Sequence, residues 1–178
     1  MIKIICFKDI PQFTRAGNYE IEYDLERFVE WLDREQNEYG LQLMPDFQRS
    51  HVWKEEQQIA YLEYFFKGGR SGRIIYLNFP SWNNTVPDGE YNDYVCVDGL
   101  QRITAIQRFM HDEIPIFGSY YHEFTDRMFG SIHTIKVNVN DLKTKKEVLL
   151  WYIDMNDGGT PHTSEEIENV RRLLNSCT

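Results

Sequence analysis

A chain of 178 residues with 42% hydrophobic and 15% aromatic side chains is enough for one domain with one substantial core, and is too short for two full domains. Its formal net charge of −9 works against coating DNA or an anionic membrane, because long-range repulsion opposes the encounter; a small anion in a local basic pocket stays compatible. Cys6, Cys96 and Cys177 form no CxxC pair, and there is no secretory signal and no apolar run near the roughly 20 residues of a membrane span, so a reducing, cytoplasmic setting without a membrane is expected. The five histidines show no ligand spacing, which disfavours zinc.

In chain order, Met1 to Phe7 is apolar with three isoleucines and reads as an opening strand, and Pro11 and Gly17 mark irregular chain after it. Leu25, Phe28, Val29 and Leu32 fall at helical spacing, with Asp24 as N-cap and Gly40 ending the helix near Tyr39. Leu41 to Met44 suggests a short strand before the Pro45-Asp46 turn. A second helix runs from about Lys54 to Lys67, with Glu55 and Glu56 at its positive end and Ile59, Leu62, Phe65 and Phe66 as its buried stripe; Gly68 and Gly69 stop it.

Arg73 to Phe79 and Tyr94 to Val97 read as strands on either side of a polar surface loop, Ser81 to Asn92. Leu100 to Met110 is helical with Ile103, Ile106 and Met110 inward, and Thr134 to Val139 alternates like a strand. Lys143 to about Asp154 is helical. The last helix opens at Thr163, where Glu166 completes a capping box ahead of Ile167, Val170 and Leu174. With no repeat and no linker, residues 1–178 are expected to form a single α/β domain of the α+β kind.

The strongest local signal is Tyr94-Val95-Cys96-Val97-Asp98-Gly99-Leu100-Gln101-Arg102, a strand that turns through Asp-Gly straight into a helix. Such a junction offers free backbone amides and the positive end of a helix dipole, and Gly99 would let a phosphate approach the backbone. Arg102 in the first turn faces that positive end, at a cost of about 0.3 to 1 kcal/mol unless an anion is bound. Guanidinium grips phosphate in a bidentate fork, and Gln101 beside it can bond the phosphate, a base or an attacking water. The plainer reading has Asp98 capping the helix and pairing with Arg102.

A second segment, Pro45-Asp46-Phe47-Gln48-Arg49-Ser50-His51-Val52-Trp53, places another Gln-Arg pair just ahead of a helix. If the two helix starts converge, Arg49 and Arg102 clamp a polyphosphate from two sides and Trp53 supplies a wall. Otherwise Phe47 and Trp53 are core anchors and Arg49 is solvated. The third segment, Asp154-Met155-Asn156-Asp157-Gly158-Gly159-Thr160-Pro161-His162, is either a plain turn or a place where Asn156 meets the ligand and Asp154 or Asp157 helps hold Mg²⁺. Lys67-Gly-Gly-Arg70-Ser-Gly-Arg73 lacks the Gly-Lys-Ser/Thr ending of a Walker loop, and G-x-S-x-G, H-E-x-x-H and G-x-G-x-x-G are absent.

Together the three segments resemble the family known as domain of unknown function 262, which includes the N-terminal domain of GmrSD-type restriction systems. The matching residues are Gln48-Arg49-Ser50-His51-Val52-Trp53, Asp98-Gly99-Leu100-Gln101-Arg102 and Asn156-Asp157-Gly158-Gly159, in the family's order. The resemblance implies a ParB/sulfiredoxin-like fold, a small mixed sheet flanked by helices, with nucleotide phosphates at the Asp-Gly turn. It also implies binding and Mg²⁺-dependent hydrolysis of a nucleoside triphosphate, linked to DNA restriction or its control. By position, Asp98, Gln101 and Arg102 take the catalytic roles, with Asp98 also the metal-facing carboxylate. Gln48, Arg49, Trp53, Gly99 and Asn156 take nucleotide-binding roles.

Leu100 stands where the family has a first Gln, and the chain ends at Thr178 without the nuclease domain of longer members, so a stand-alone member is expected. Two other functions compete. One is a metal-dependent DNA nuclease or nicking domain using a patch of Arg49, Lys67, Arg70, Arg73 and Arg102. The other is a non-catalytic nucleotide sensor, bacterial or phage-encoded, that engages a nuclease or other defence partner.

Overall fold

The computed structural model describes residues 3–176 except 13, 15–16, 49–51, 83–90, 129–131 and 158–163, and leaves out the side chains of 8, 156–157, 164–167 and 169. Tyr19, Ile21 and Tyr23 alternate with Glu20, Glu22 and Asp24, the period of a strand with one face on a core, and these residues form β1 (Tyr19–Asp24). Asp24 then caps α1 (Leu25–Tyr39) by accepting the Arg27 amide at 2.9 Å, and Gly40 ends it, as the residue pattern predicts. α2 (Glu55–Phe66) starts with the Gln57 side-chain carbonyl accepting the Lys54 amide at 2.9 Å. β2 (Ile74–Asn78), β3 (Val95–Asp98), α3 (Leu100–Met110), β4 (Thr134–Asn140), α4 (Lys145–Asp157) and α5 (Ser164–Ser176) complete the chain.

The four strands make one mixed sheet in the order β1-β4-β2-β3. β4 runs antiparallel to β1 and parallel to β2, with Ile75 opposite Val137; β2 runs antiparallel to β3, with Tyr76 opposite Asp98. Helices flank both faces, the small mixed sheet expected. Ile75, Leu77, Cys96, Ile135, Val137 and Val139 pack under α1, α2 and α3. Val95 and Val97 point the other way, onto Phe47, α4 and Val170 of α5. The turn after β4 is tied down by Asn78, whose side chain bonds both the amide and the carbonyl of Leu142 at 2.9 and 3.1 Å.

Three expectations change. The opening strand is not formed over the described residues: 3–6 are irregular and Phe7–Asp9 is one 3-10 turn, because the sheet edge belongs to β1, which the predicted elements omit. Leu41–Met44 contributes only a bridge, in which the Gln42 amide donates to Tyr94 and its carbonyl accepts from Cys96, both at 2.9 Å. α4 starts two residues later than predicted and runs on to Asp157. The capping box at Thr163 and Glu166 and most of the Ser81–Asn92 loop lie outside the described residues. Among the described residues no helix is long and apolar enough to cross a membrane.

Candidate phosphate-binding corner

Alternation along β3 sends Cys96 into the α3 face of the sheet and Val97 to the opposite side. Gly99 follows at φ 126°, a conformation that side chains disfavour, and the chain turns there into α3. A Cβ on Gly99 would lie 2.6 Å from Cδ1 and 3.1 Å from Cγ2 of Ile75. The glycine therefore lets α3 sit tightly on β2, and the space expected to receive a phosphate beside its Cα is filled by Ile75. An anion at this corner would have to be met by the start of α3 and the side chains around it, with the Leu100 amide already bonding the Cys96 thiol.

Those side chains join the two Gln-Arg segments. The Gln101 carbonyl accepts the amides of Val52 and Trp53, each at 3.0 Å, immediately ahead of α2. The starts of α2 and α3 thus converge, the condition set by the second segment. The same bonds commit the Gln101 carbonyl to holding two pieces of chain together. Gln48, in the orientation its neighbours select, donates from its amide nitrogen to the carbonyls of Leu43 and Cys96 at 2.8 and 2.9 Å, which fastens the loop to β3.

Arg102 and Asp98 form an ion pair across one helical turn; the Arg102 side chain is 18% exposed and that of Asp98 is 42% exposed. The N-cap of α3 is Gly99, which has no side chain to cap the helix. Arg102 also lies against Tyr61 and Gly72, and a Cβ on Gly72 would meet Tyr61 at 3.3 Å and Arg102 Cδ at 3.8 Å. Tyr61 donates to the Gly72 carbonyl at 2.9 Å, and its ring centre is 5.4 Å from that of Trp53. Burial pushes the Tyr61 phenol up to about 12, against the opposing pull of Arg102 and Arg73. Sequence reasoning overlooked Tyr61, because Trp53 lies ahead of α2 and only the fold brings the two rings together.

Cys96 sits behind the corner. Burial, then the nearby Asp98 charge, pushes its thiol up to about 12, opposed by Gln48, Arg102 and the Leu100 amide. Leu100 is 5% exposed, packed inward where a polar side chain would have to be desolvated.

The remaining predicted residues divide. Arg49 lies outside the described residues, as does the Gly158–His162 turn. Asn156 is in the last turn of α4, the helix on the other face of the sheet, and its side chain is not described. Arg73 is fully engaged by protein: it donates to the carbonyls of Phe65, Gly69, Ile132 and Thr134, and its guanidinium lies 4.2 Å from the Phe65 ring centre. That removes Arg73 from any DNA-binding patch and makes it the cap of α2. Among the described residues no group of three or more His, Cys, Asp or Glu side chains could hold a metal ion. Asp98 alone fits Mg²⁺ only where phosphate and water oxygens complete the shell.

No curated protein and no solved structure matches this chain. The family model described as GmrSD restriction endonuclease, N-terminal domain, matches residues 28–130, from the first turn of α1 to just short of β4. That span is more than half of the chain and contains both Gln-Arg segments, the Asp98-Gly99 turn and Tyr61, so the chain belongs to the GmrSD restriction endonuclease N-terminal domain family.

Proposed function

We infer that this domain binds a nucleoside triphosphate at the corner where α2 and α3 begin, hydrolyses it with Mg²⁺, and serves a DNA restriction or defence system or its control. The observation that carries this reading is the pair of Gln101 bonds to Val52 and Trp53, which brings both Gln-Arg segments and two helix N-termini to one place. Arg102 rests there on Asp98. A polyphosphate would draw the guanidinium from the carboxylate into a bidentate grip, neutralising charge that grows as the terminal phosphoryl leaves. Asp98, released, would then hold Mg²⁺ together with phosphate oxygens and water. Arg49 supplies a second cation by sequence, and Trp53 with Tyr61 forms an aromatic wall. Gln101 positions the two segments, since its carbonyl is already committed.

Calorimetry with a panel of nucleoside triphosphates, with and without Mg²⁺, tests the reading. At least one should bind saturably, Arg102→Ala should weaken it about tenfold or more by removing a charge-assisted bond, and Arg27→Ala, exposed on α1, should leave it unchanged. No heat from any nucleotide would end the proposal.

A second reading, a sensor that binds nucleotide without turnover and engages a nuclease or defence partner, draws support from the committed Gln101 carbonyl and the buried Leu100. Saturable binding without release of inorganic phosphate would select it. A metal-dependent nicking domain keeps the weakest footing, because Arg73 is consumed by the fold; intact supercoiled plasmid at high protein excess with Mg²⁺ or Mn²⁺ would dispose of it.

A further inference from the structure

Between α2 and β2 the chain runs through Gly68-Gly69-Arg70-Ser71-Gly72, a glycine-rich turn with no part in the nucleotide reading above. Gly68 and Gly72 sit at φ 87° and 69°, where side chains are disfavoured. Three hydrogen bonds pin the turn. Arg73 donates from Nε to the Gly69 carbonyl, Ser71 donates its hydroxyl to the Tyr64 hydroxyl at 2.9 Å, and Tyr61 donates its hydroxyl to the Gly72 carbonyl at 2.9 Å. The last of these reaches the corner, because the point where a Gly72 Cβ would stand is 3.3 Å from the Tyr61 ring and 3.8 Å from Cδ of Arg102.

The Tyr61 ring is itself held, its centre 5.4 Å from that of Trp53 and 6.3 Å from that of Phe65, so packing aims its hydroxyl. Burial lifts the phenol to about 12, and below that pH the hydroxyl keeps its proton and stays a donor. Across the turn, the Arg102 guanidinium pairs with Asp98. A polyphosphate that displaced Asp98 would leave the contact of the Arg102 stem with Gly72 to aim the guanidinium. An arginine fixed by a ligand loses rotamer freedom, and one whose stem is already confined loses less of it.

Taking the corner as the nucleotide site inferred above, we propose that Tyr61 is a positioning residue: by holding the Gly72 backbone against the Arg102 stem, its hydroxyl keeps the guanidinium aimed at the phosphates of a nucleoside triphosphate. The ring belongs to the aromatic wall, whereas the hydroxyl touches Gly72 and acts through Arg102.

Tyr61→Phe removes the hydroxyl and keeps the ring. Tyr64→Phe does the same to the neighbouring bond on the same turn, at an exposed tyrosine with no described contact to Arg102. Calorimetry with ATP, GTP, CTP and UTP, each with Mg²⁺, should show Tyr61→Phe weaker than the wild type by about two- to tenfold for whichever nucleotide binds, and Tyr64→Phe unchanged. In an Arg102→Ala background Tyr61→Phe should cause no further loss, whereas a hydroxyl that merely stabilised the fold would lower binding by the same factor in both backgrounds. A second readout needs no nucleotide. In isotope-labelled protein the Arg102 Nε–H signal, assigned by its absence in Arg102→Ala, should exchange with solvent about threefold or more faster in Tyr61→Phe than in the wild type or Tyr64→Phe. Unchanged exchange in Tyr61→Phe overturns the proposal, as does an equal loss of binding in Tyr64→Phe or a loss that persists in full without Arg102. A wild type that binds a nucleotide no better than Tyr61→Phe does overturns this role alone and leaves the nucleotide site standing; a wild type that binds none of the four ends both.

Discussion

At Gly99 two demands coincide: a φ of 126° that a Cβ resists, and a Cβ position already taken by Ile75. Gly99→Ala should therefore lose about 1–3 kcal/mol of stability in urea unfolding, through backbone strain and overpacking together. Adding Ile75→Val, which removes the atom at 2.6 Å, should relieve the tightest contact and leave both the one at 3.1 Å and the backbone strain. Cys96 gives a pH signature. Its folded-state value is raised from about 9 to about 12, so the folded chain holds that proton more tightly than the unfolded chain. This contribution is complete below about 9 and is lost as pH rises from there toward 12, and alkaline titration of the unfolding free energy should fall across that window. Near neutral pH a thiol reagent followed by peptide mapping should find exposed Cys6 modified and buried Cys96 protected until the chain unfolds.

Among the elements, the junction of α2 with α3 is held by side chains as well as by packing. Gln101 accepts two amides ahead of α2, and Arg108, two turns further along α3, bonds the Gln58 side chain at 3.0 Å and Glu55 at 3.0 Å. Gln101→Leu should cost about 0.5–1.5 kcal/mol per lost bond, less for the more exposed Val52 amide. Hydrogen exchange at Val52 and Trp53 should speed up selectively, and Gln101→Glu, which keeps an acceptor, should restore much of the protection. An intact exchange pattern in Gln101→Leu would show that packing alone holds the junction. α2 is fastened at its other end by Arg73, whose guanidinium donates to the carbonyl of Phe65 in the last turn and to that of Gly69 just beyond it.

For the whole molecule, the sheet separates two layers: α1, α2 and α3 bury its principal face, with the candidate corner at the starts of α2 and α3, whereas α4 and α5 cover Val95 and Val97 behind it. A ligand gripped between two elements of the first layer should stabilise the entire fold by mass action, by about 2.7 kcal/mol at a hundredfold excess over its dissociation constant. Thermal unfolding should show a rise in Tm with the bound nucleotide, reduced in Arg102→Ala and preserved in Arg27→Ala. The outer edge, β1, is protected from pairing with another sheet by Glu20, Glu22 and the Lys136–Glu20 ion pair on the neighbouring strand.

Much of this was readable from residue order alone. The bounds of α3, the cap at Asp24, the stop at Gly40 and the strands β2, β3 and β4 follow from periodicity and turn chemistry, which act over a few residues. The Asp98-Gly99 turn and the two Gln-Arg pairs were legible as motifs for the same reason. β1 shows that a local signal can be present and still be passed over, since Tyr19 to Asp24 alternates plainly beside a more apolar opening segment that forms no strand. Convergence of the two helix starts, Ile75 in the space beside Gly99, and Tyr61 against Gly72 and Arg102 were decided only in three dimensions. Gln101 reaches back 48 and 49 residues for its partners, and contacts that distant exist only once strand order and helix placement have put the segments side by side.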